Sequence, residues 1–240
     1  QGVQFSKGED PVLYLRDQEG MSRKERRDML DNIAELNDLS LKEFGDPEIA
    51  TRIKQFEMAY RMQTAIPEVM DLSKEPDDIV KLYGPDCLVP GTFGANCLLA
   101  RKLSENGVRF VQLYHQGWDG HGNLPGEIKG QCMDTDQASA ALITDLKQRG
   151  LLEETLVVWG GEFGRTPMSE NREGKQNPFK GRDHHTEAFT IWMAGGGIKK
   201  GFTHGETDDI GYSAISGKVT PFDIQATILN QLGFDHEKFT

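Results

Sequence analysis

Two short stretches of this 240-residue chain carry residue types that bind metal ions. One is His115-Gln-Gly-Trp-Asp119-Gly-His121, the other Asp183-His184-His185, and together they hold four of the six histidines. Between them lies Gly-Gly-Glu162-Phe-Gly-Arg165-Thr. Neutral imidazole and carboxylate are the usual nitrogen and oxygen ligands of zinc and similar divalent ions. Asp119 and His121 flank one glycine, so a tight turn can aim both side chains into one cavity. Asp183, His184 and His185 are consecutive, and neighbours on an extended backbone point to opposite sides. One of the two histidines then faces an ion while the other meets a substrate or a supporting carboxylate. Glu162 sits in a glycine-rich turn that permits close backbone approach. Arg165 and Arg182 can grip an anionic ester oxygen in two-pronged fashion. A divalent ion there would polarise an ester or lower the pKa of water, which is hydrolase chemistry.

These residues need elements to hold them. Ser22 with Glu25 reads as a capping box opening a helix over 22–44. Asp46-Pro47 opens a second helix that runs to about Ala65, where Ile66-Pro67 stops it. This hairpin reads as a cover for something else, preceded by an irregular 1–20 with an apolar run at 12–15. Residues 68–90 read as short helical turns, 92–106 as a helix stopped by Asn106-Gly107, and 131–149 as a helix stopped by Gly150. The β-rich runs 108–114, 155–159 and 189–194 read as strands, and 222–232 as a last helix. The order implies an α/β domain with a largely parallel sheet. Ligands of such sheets bind beyond the carboxyl ends of strands, where His115–His121 and Glu162 fall. The segment 166–188 must then carry Asp183 back to the same edge. Trp118 and Trp159 read as core or pocket walls, and His204, His236 and the Asp208-Asp209 pair as solvated loop.

Composition narrows the classes. Hydrophobic residues make 37% and charged residues 27% of the chain, an ordinary globular balance. A net charge of −11 argues against nucleic acid or an anionic membrane surface as partner. No apolar run reaches the roughly 18 residues of a membrane span. Cys87, Cys97 and Cys132 have no C-x-x-C spacing, which excludes a thiolate zinc knuckle and leaves a Cys87–Cys97 bridge open. The chain starts without Met and reads as opening in mid-domain, so a fragment or processed form is expected.

Gly-Val-Arg-Phe-Val-Gln-Leu-Tyr-His-Gln-Gly-Trp-Asp-Gly-His-Gly-Asn, Leu-Val-Val-Trp-Gly-Gly-Glu-Phe-Gly-Arg-Thr-Pro, Gly-Arg-Asp-His-His and Trp-Met-Ala-Gly-Gly-Gly-Ile-Lys resemble the bacterial proteins of "domain of unknown function 1501" along nearly the whole chain. That family is often called sulfatase-like and is placed in the alkaline phosphatase-like superfamily. The resemblance implies residues 91–240 as the C-terminal portion of such a domain, with a mostly parallel sheet flanked by helices. Residues 1–90 are then a helical insertion or cover. It implies a nucleophile on an N-terminal half that this chain lacks, and a missing half would leave an aggregation-prone sheet edge. It implies export to the periplasm or beyond, often by a twin-arginine signal, and a small-molecule or polysaccharide ester as substrate. The ion would be zinc, calcium or manganese, held by Asp119, His121, Glu162, Asp183 and His185. Glu162 and Arg165 would be catalytic, as ligand or base and as anion clamp. His115, Arg182 and His184 would contact substrate. Phe163 cannot be a ligand, and Thr220 and Phe222 stand where relatives often carry histidines before Asp223, so part of that chemistry is weakened here. A fold retained as a non-catalytic binding scaffold is the rival expectation.

Overall fold

Ser22 opens the first helix as its spacing predicts. Its hydroxyl accepts from Glu25 N at 3.2 Å, and the Glu25 carboxylate accepts from Ser22 N at 2.7 Å. The computed structural model describes residues 20–172, 175–176 and 180–238, so the apolar run 12–15 lies outside the described residues. Helix α1 (Arg23–Phe44) ends at Gly45, whose φ of 67° suits glycine. Helix α2 (Pro47–Met70) starts on Asp46, which accepts from Glu48 N at 2.9 Å. The predicted stop at Ile66-Pro67 does not occur, and α2 runs through Pro67 to Met70. A proline removes one helical bond, and here burial of Val69 beyond it holds the last turn. Arg27 joins the two helices, donating to Glu57 at 2.8 Å and lying 4.7 Å over the Tyr60 ring. No residue of α1 is buried, and Leu36 and Leu39 on its apolar stripe are 64% and 62% exposed.

The core is helical. After a 3-10 turn at Leu72–Lys74 come α3 (Asp77–Tyr83), a second turn at Pro85–Leu88, α4 (Phe93–Glu105) and α5 (Leu124–Gln148). Helix α5 begins at Leu124 rather than Gln131, because Pro125 sits in the first turn, where its missing N–H costs nothing. Ile79, Tyr83, Cys87, Cys97, Leu98, Ala138 and Ala141 form one buried cluster across these elements. Cys87 and Cys97 are free thiols within it, and burial pushes the Cys97 thiol up to about 12. Arg101 of α4 is 2% exposed and pairs with Glu75, Glu105 and Asp145. Tyr83 donates to the same Asp145 at 3.1 Å.

Strands appear only after residue 156 among the described residues. They are β1 (Val157–Trp159), β2 (Gly164–Arg165), β3 (Asn171–Arg172), β4 (Lys175–Gln176), β5 (His184–His185), β6 (Trp192–Ala194), β7 (Glu206–Thr207) and β8 (Ala214–Ser216), followed by α6 (Pro221–Gln231). They form four two-stranded antiparallel ladders, β1–β6, β2–β5, β3–β4 and β7–β8. The mixed helix-and-strand class therefore holds, while the largely parallel sheet is corrected: every described ladder is antiparallel. The expected strand 108–114 has no ladder partner among the described residues. It keeps a two-residue burial alternation, with Val111 and Leu113 half-buried while Phe110 and Tyr114 are 70% and 78% exposed. Its β-rich composition reflects that half-burial, not sheet pairing. Helix α6 starts on Thr220, whose backbone N–H and hydroxyl both bond to Asp223 at 2.7 and 2.6 Å. Thr220 and Asp223 thus work as a capping box, and Phe222 is 85% exposed. No described helix is long and apolar enough to cross a membrane.

Candidate metal centre

The chain between β2 and β5 runs out and back as a hairpin. Gly164 pairs with His185 and Arg165 with His184. Beyond that ladder, Thr166 N donates to Asp183 O at 2.9 Å and Glu170 N to Gly181 O at 2.8 Å. The same hairpin docks on the loop after 114, because Arg182 N donates to Gly120 O at 2.9 Å. Gly181 is required there: a Cβ would fall inside contact with the His121 carbonyl. The expected return of Asp183 to the first cluster is thus made by an antiparallel hairpin.

Docking brings three donor atoms together. His121 Nε2 lies 3.0 Å from His184 Nε2, and Asp119 Oδ1 lies 3.1 Å from the first and 3.2 Å from the second. Ligands about 2.0–2.1 Å from a tetrahedral zinc stand roughly 3.3 Å apart, so these edges fit one small divalent ion. His121, Glu170 and Asp183 form a second, overlapping donor group. Glu170 is 4% exposed, and its Oε2 is 2.9 Å from His121 Nδ1. An ionised carboxylate only accepts, so His121 donates its Nδ1–H to Glu170, and the His121 Nε2 lone pair is left facing Asp119 and His184. Phe163 walls the site, with its ring 4.4 Å from that of His184.

Arg165 closes the cluster. It donates to Asp119 Oδ1 at 2.7 Å, to Trp118 O at 3.2 Å and to Arg182 O at 3.1 Å. Those hydrogen bonds, first from Arg165 and then from His184, hold the Asp119 carboxyl down at about 2, although the side chain is 72% exposed.

The geometry sorts the expected residues. Asp119, His121, His184 and Arg165 converge, and Asp183 stands behind them with Glu170. The β5 strand does send its two histidines to opposite sides, and His184 is the one beside His121 and Asp119. His184, expected against substrate, faces the cluster, while His185, expected as a ligand, is 6% exposed with its Nε2 on the Tyr212 carbonyl. Glu162 is exposed and belongs to neither donor group. Arg182 donates to Thr166 O at 2.9 Å and so serves the hairpin. His115 accepts from the Trp118 indole N–H at 2.9 Å and lies 3.7 Å from Asp134. Glu170 had no signal in the sequence: it is a single carboxylate in a loop, placed only by the hairpin's own backbone bonds.

A family model described as "Protein of unknown function (DUF1501)" matches residues 1–240, and the chain belongs to that family. Among curated proteins and solved structures, none matches.

Proposed function

We propose that this member of the DUF1501 family is a metal-dependent hydrolase of sulfate or phosphate esters, with Asp119, His121 and His184 as the ligands of one divalent ion. The convergence of His121 Nε2, His184 Nε2 and Asp119 Oδ1 at 3.0–3.2 Å carries the reading. A divalent ion bound there supplies a Lewis acid that stabilises charge on an ester oxygen. The nucleophile is expected on a segment outside these 240 residues, and the residues present prepare the site. Glu170 fixes the tautomer and orientation of His121. Arg165, at the rim with its side chain 23% exposed, offers a planar cation to the anionic ester. Sulfatase-like membership of the alkaline phosphatase-like superfamily, with 91–240 as part of that domain and 1–90 as a helical insertion, belongs to this proposal. So does action in the periplasm or outside the cell. The motif resemblance supports both.

Zinc, manganese and calcium, added separately to the metal-stripped full-length protein, test this by calorimetry and by turnover of aryl sulfates and aryl phosphates. One ion is expected to bind near stoichiometrically and to restore hydrolysis, and His121→Ala to lose both. Retention of no ion, with hydrolysis unchanged in His121→Ala, sinks the proposal. One observation favours a non-catalytic scaffold instead: Arg165 at 2.7 Å already balances the Asp119 charge without an ion. On that reading ions bind neither protein and no ester is turned over.

A further inference from the structure

All three tryptophans of the chain meet in one place. Trp159 and Trp192 are cross-strand partners on β1 and β6, stacked at 6.1 Å with planes 6° apart. Trp118 meets Trp159 edge-on at 6.4 Å, His115 meets Trp118 at 5.9 Å, and Phe93 meets His115 at 5.3 Å. Five rings thus form a continuous strip from the start of α4 to β6. The three indoles are 37–38% exposed, while at the far end His115 is half-buried and Phe93 packs on the helical core, so the open part of the strip is its indole part. It also runs into the metal centre: Trp118 precedes Asp119, and Arg165 donates to both the Trp118 carbonyl and the Asp119 carboxylate. At its other end, His115 lies near Asp134, whose side chain is 67% exposed.

We propose that this strip holds the sugar rings of an anionic oligosaccharide, so that the ester met by Asp119, His121, His184 and Arg165 is carried on carbohydrate. A pyranose has flat C–H faces and a rim of hydroxyls. The C–H faces suit the electron-rich faces of indoles, and the hydroxyls suit exposed carboxylates such as Asp134. A strip several rings long, next to a cationic side chain, matches a chain of rings bearing an anionic group. The ester half of this inference rests on the hydrolase reading, whereas the stacking half does not.

These 240 residues hold no other tryptophan, and Trp118→Ala and Trp159→Ala identify the part of the intrinsic emission that comes from the strip. Cellohexaose, maltohexaose and laminarihexaose, each plain and sulfated, are titrated into the full-length protein. At least one sulfated hexaose is expected to shift the emission saturably. Trp118→Ala and Trp159→Ala should each weaken that binding about tenfold, and Trp159→Phe should restore most of it. Trp159→Ala should leave ion binding unchanged, with far-UV circular dichroism confirming the fold. If none of the six probes shifts the emission, or if both alanine variants bind as the parent does, the inference is overturned. Saturable binding of an apolar peptide in place of every sugar overturns it too, assigning the strip to a protein partner. Sugar binding without ester turnover would sink the hydrolase reading and leave the strip's assignment standing; turnover without sugar binding would do the reverse.

Discussion

Arg101 and Arg165 each gather carboxylates from distant parts of the chain, yet their surroundings differ. Arg101 lies at 2% exposure between α4, α5 and the turn before α3, with Glu75, Glu105 and Asp145 around it. Arg149, one turn along α5, takes the other Asp145 oxygen at 2.7 Å and Glu105 at 2.9 Å. Helices carry Arg101, Glu105 and Asp145, Glu75 ends the short turn before α3, and a cleft lined by Glu75, Arg101, Glu105 and Arg149 opens beside them. Around Arg165 the partners sit on a loop and a hairpin, Asp119 is 72% exposed, and two imidazole nitrogens face each other at 3.0 Å. Burial makes the first cluster a fastener, because an uncompensated charge there is costly. The second is held just as specifically but keeps its donor atoms turned toward one accessible point.

The largest effect is expected from Arg101→Ala, which takes a buried cation from Glu75 and Asp145 and leaves them Lys102, Arg149 and Tyr83 as partners. A loss of about 3–5 kcal/mol is expected in urea unfolding, with no change in ion affinity beyond that set by the unfolded fraction. A loss under about 1 kcal/mol would remove the distinction between the clusters. Glu170→Gln should do the opposite. It keeps the shape behind His121 but no longer insists on a proton at Nδ1, so ion affinity should drop about 10–100-fold while the melting temperature barely moves. Equal affinity in calorimetry would reduce Glu170 to loop packing. The smallest effect is in acid. Asp119 has a folded-state pKa near 2 against an ordinary 3.8, so its stabilising contribution is present above about pH 3.8 and fades as pH falls toward 2. The urea midpoints of the parent and Asp119→Asn should therefore differ by a constant amount above pH 4 and converge below it. A difference that persists at pH 2 would show that the Arg165 contact does not depend on the Asp119 charge.

The sequence made the second cluster legible and hid the first. Asp119, His121 and His184 announce themselves through residue type and spacing, and Ser22 and Asp46 lie where helix starts demand caps, whereas the cap at Thr220 emerged only from the structure. Arg101, Asp145 and Tyr83 look like ordinary helix residues, since nothing local distinguishes a buried ion pair from an exposed one. Strand pairing was the other blind spot. A β-rich run at 108–114 carries the same composition whether its backbone meets a neighbour or not, and the direction of β1 against β6 depends on the hairpin excursion between them. The His184–His185 alternation was readable, but which of them faced inward was decided by β5 register against Gly164 and Arg165.

The bond from Arg182 N to Gly120 O has one further consequence. It is one of the contacts that seat the hairpin on the loop, beside those of Arg165 with Trp118 O and Asp119, and the proposed triad is complete only while that seat is made. Under the proposed ion-binding reading, the observed affinity is the intrinsic affinity scaled by the fraction of molecules with that seat made. A ligand bridging Asp119, His121 and His184 must in turn slow hydrogen exchange at the Arg182 amide, a backbone group that touches no ligand. On the proposed reading that amide is an occupancy gauge built into the main chain, readable before any substrate is identified.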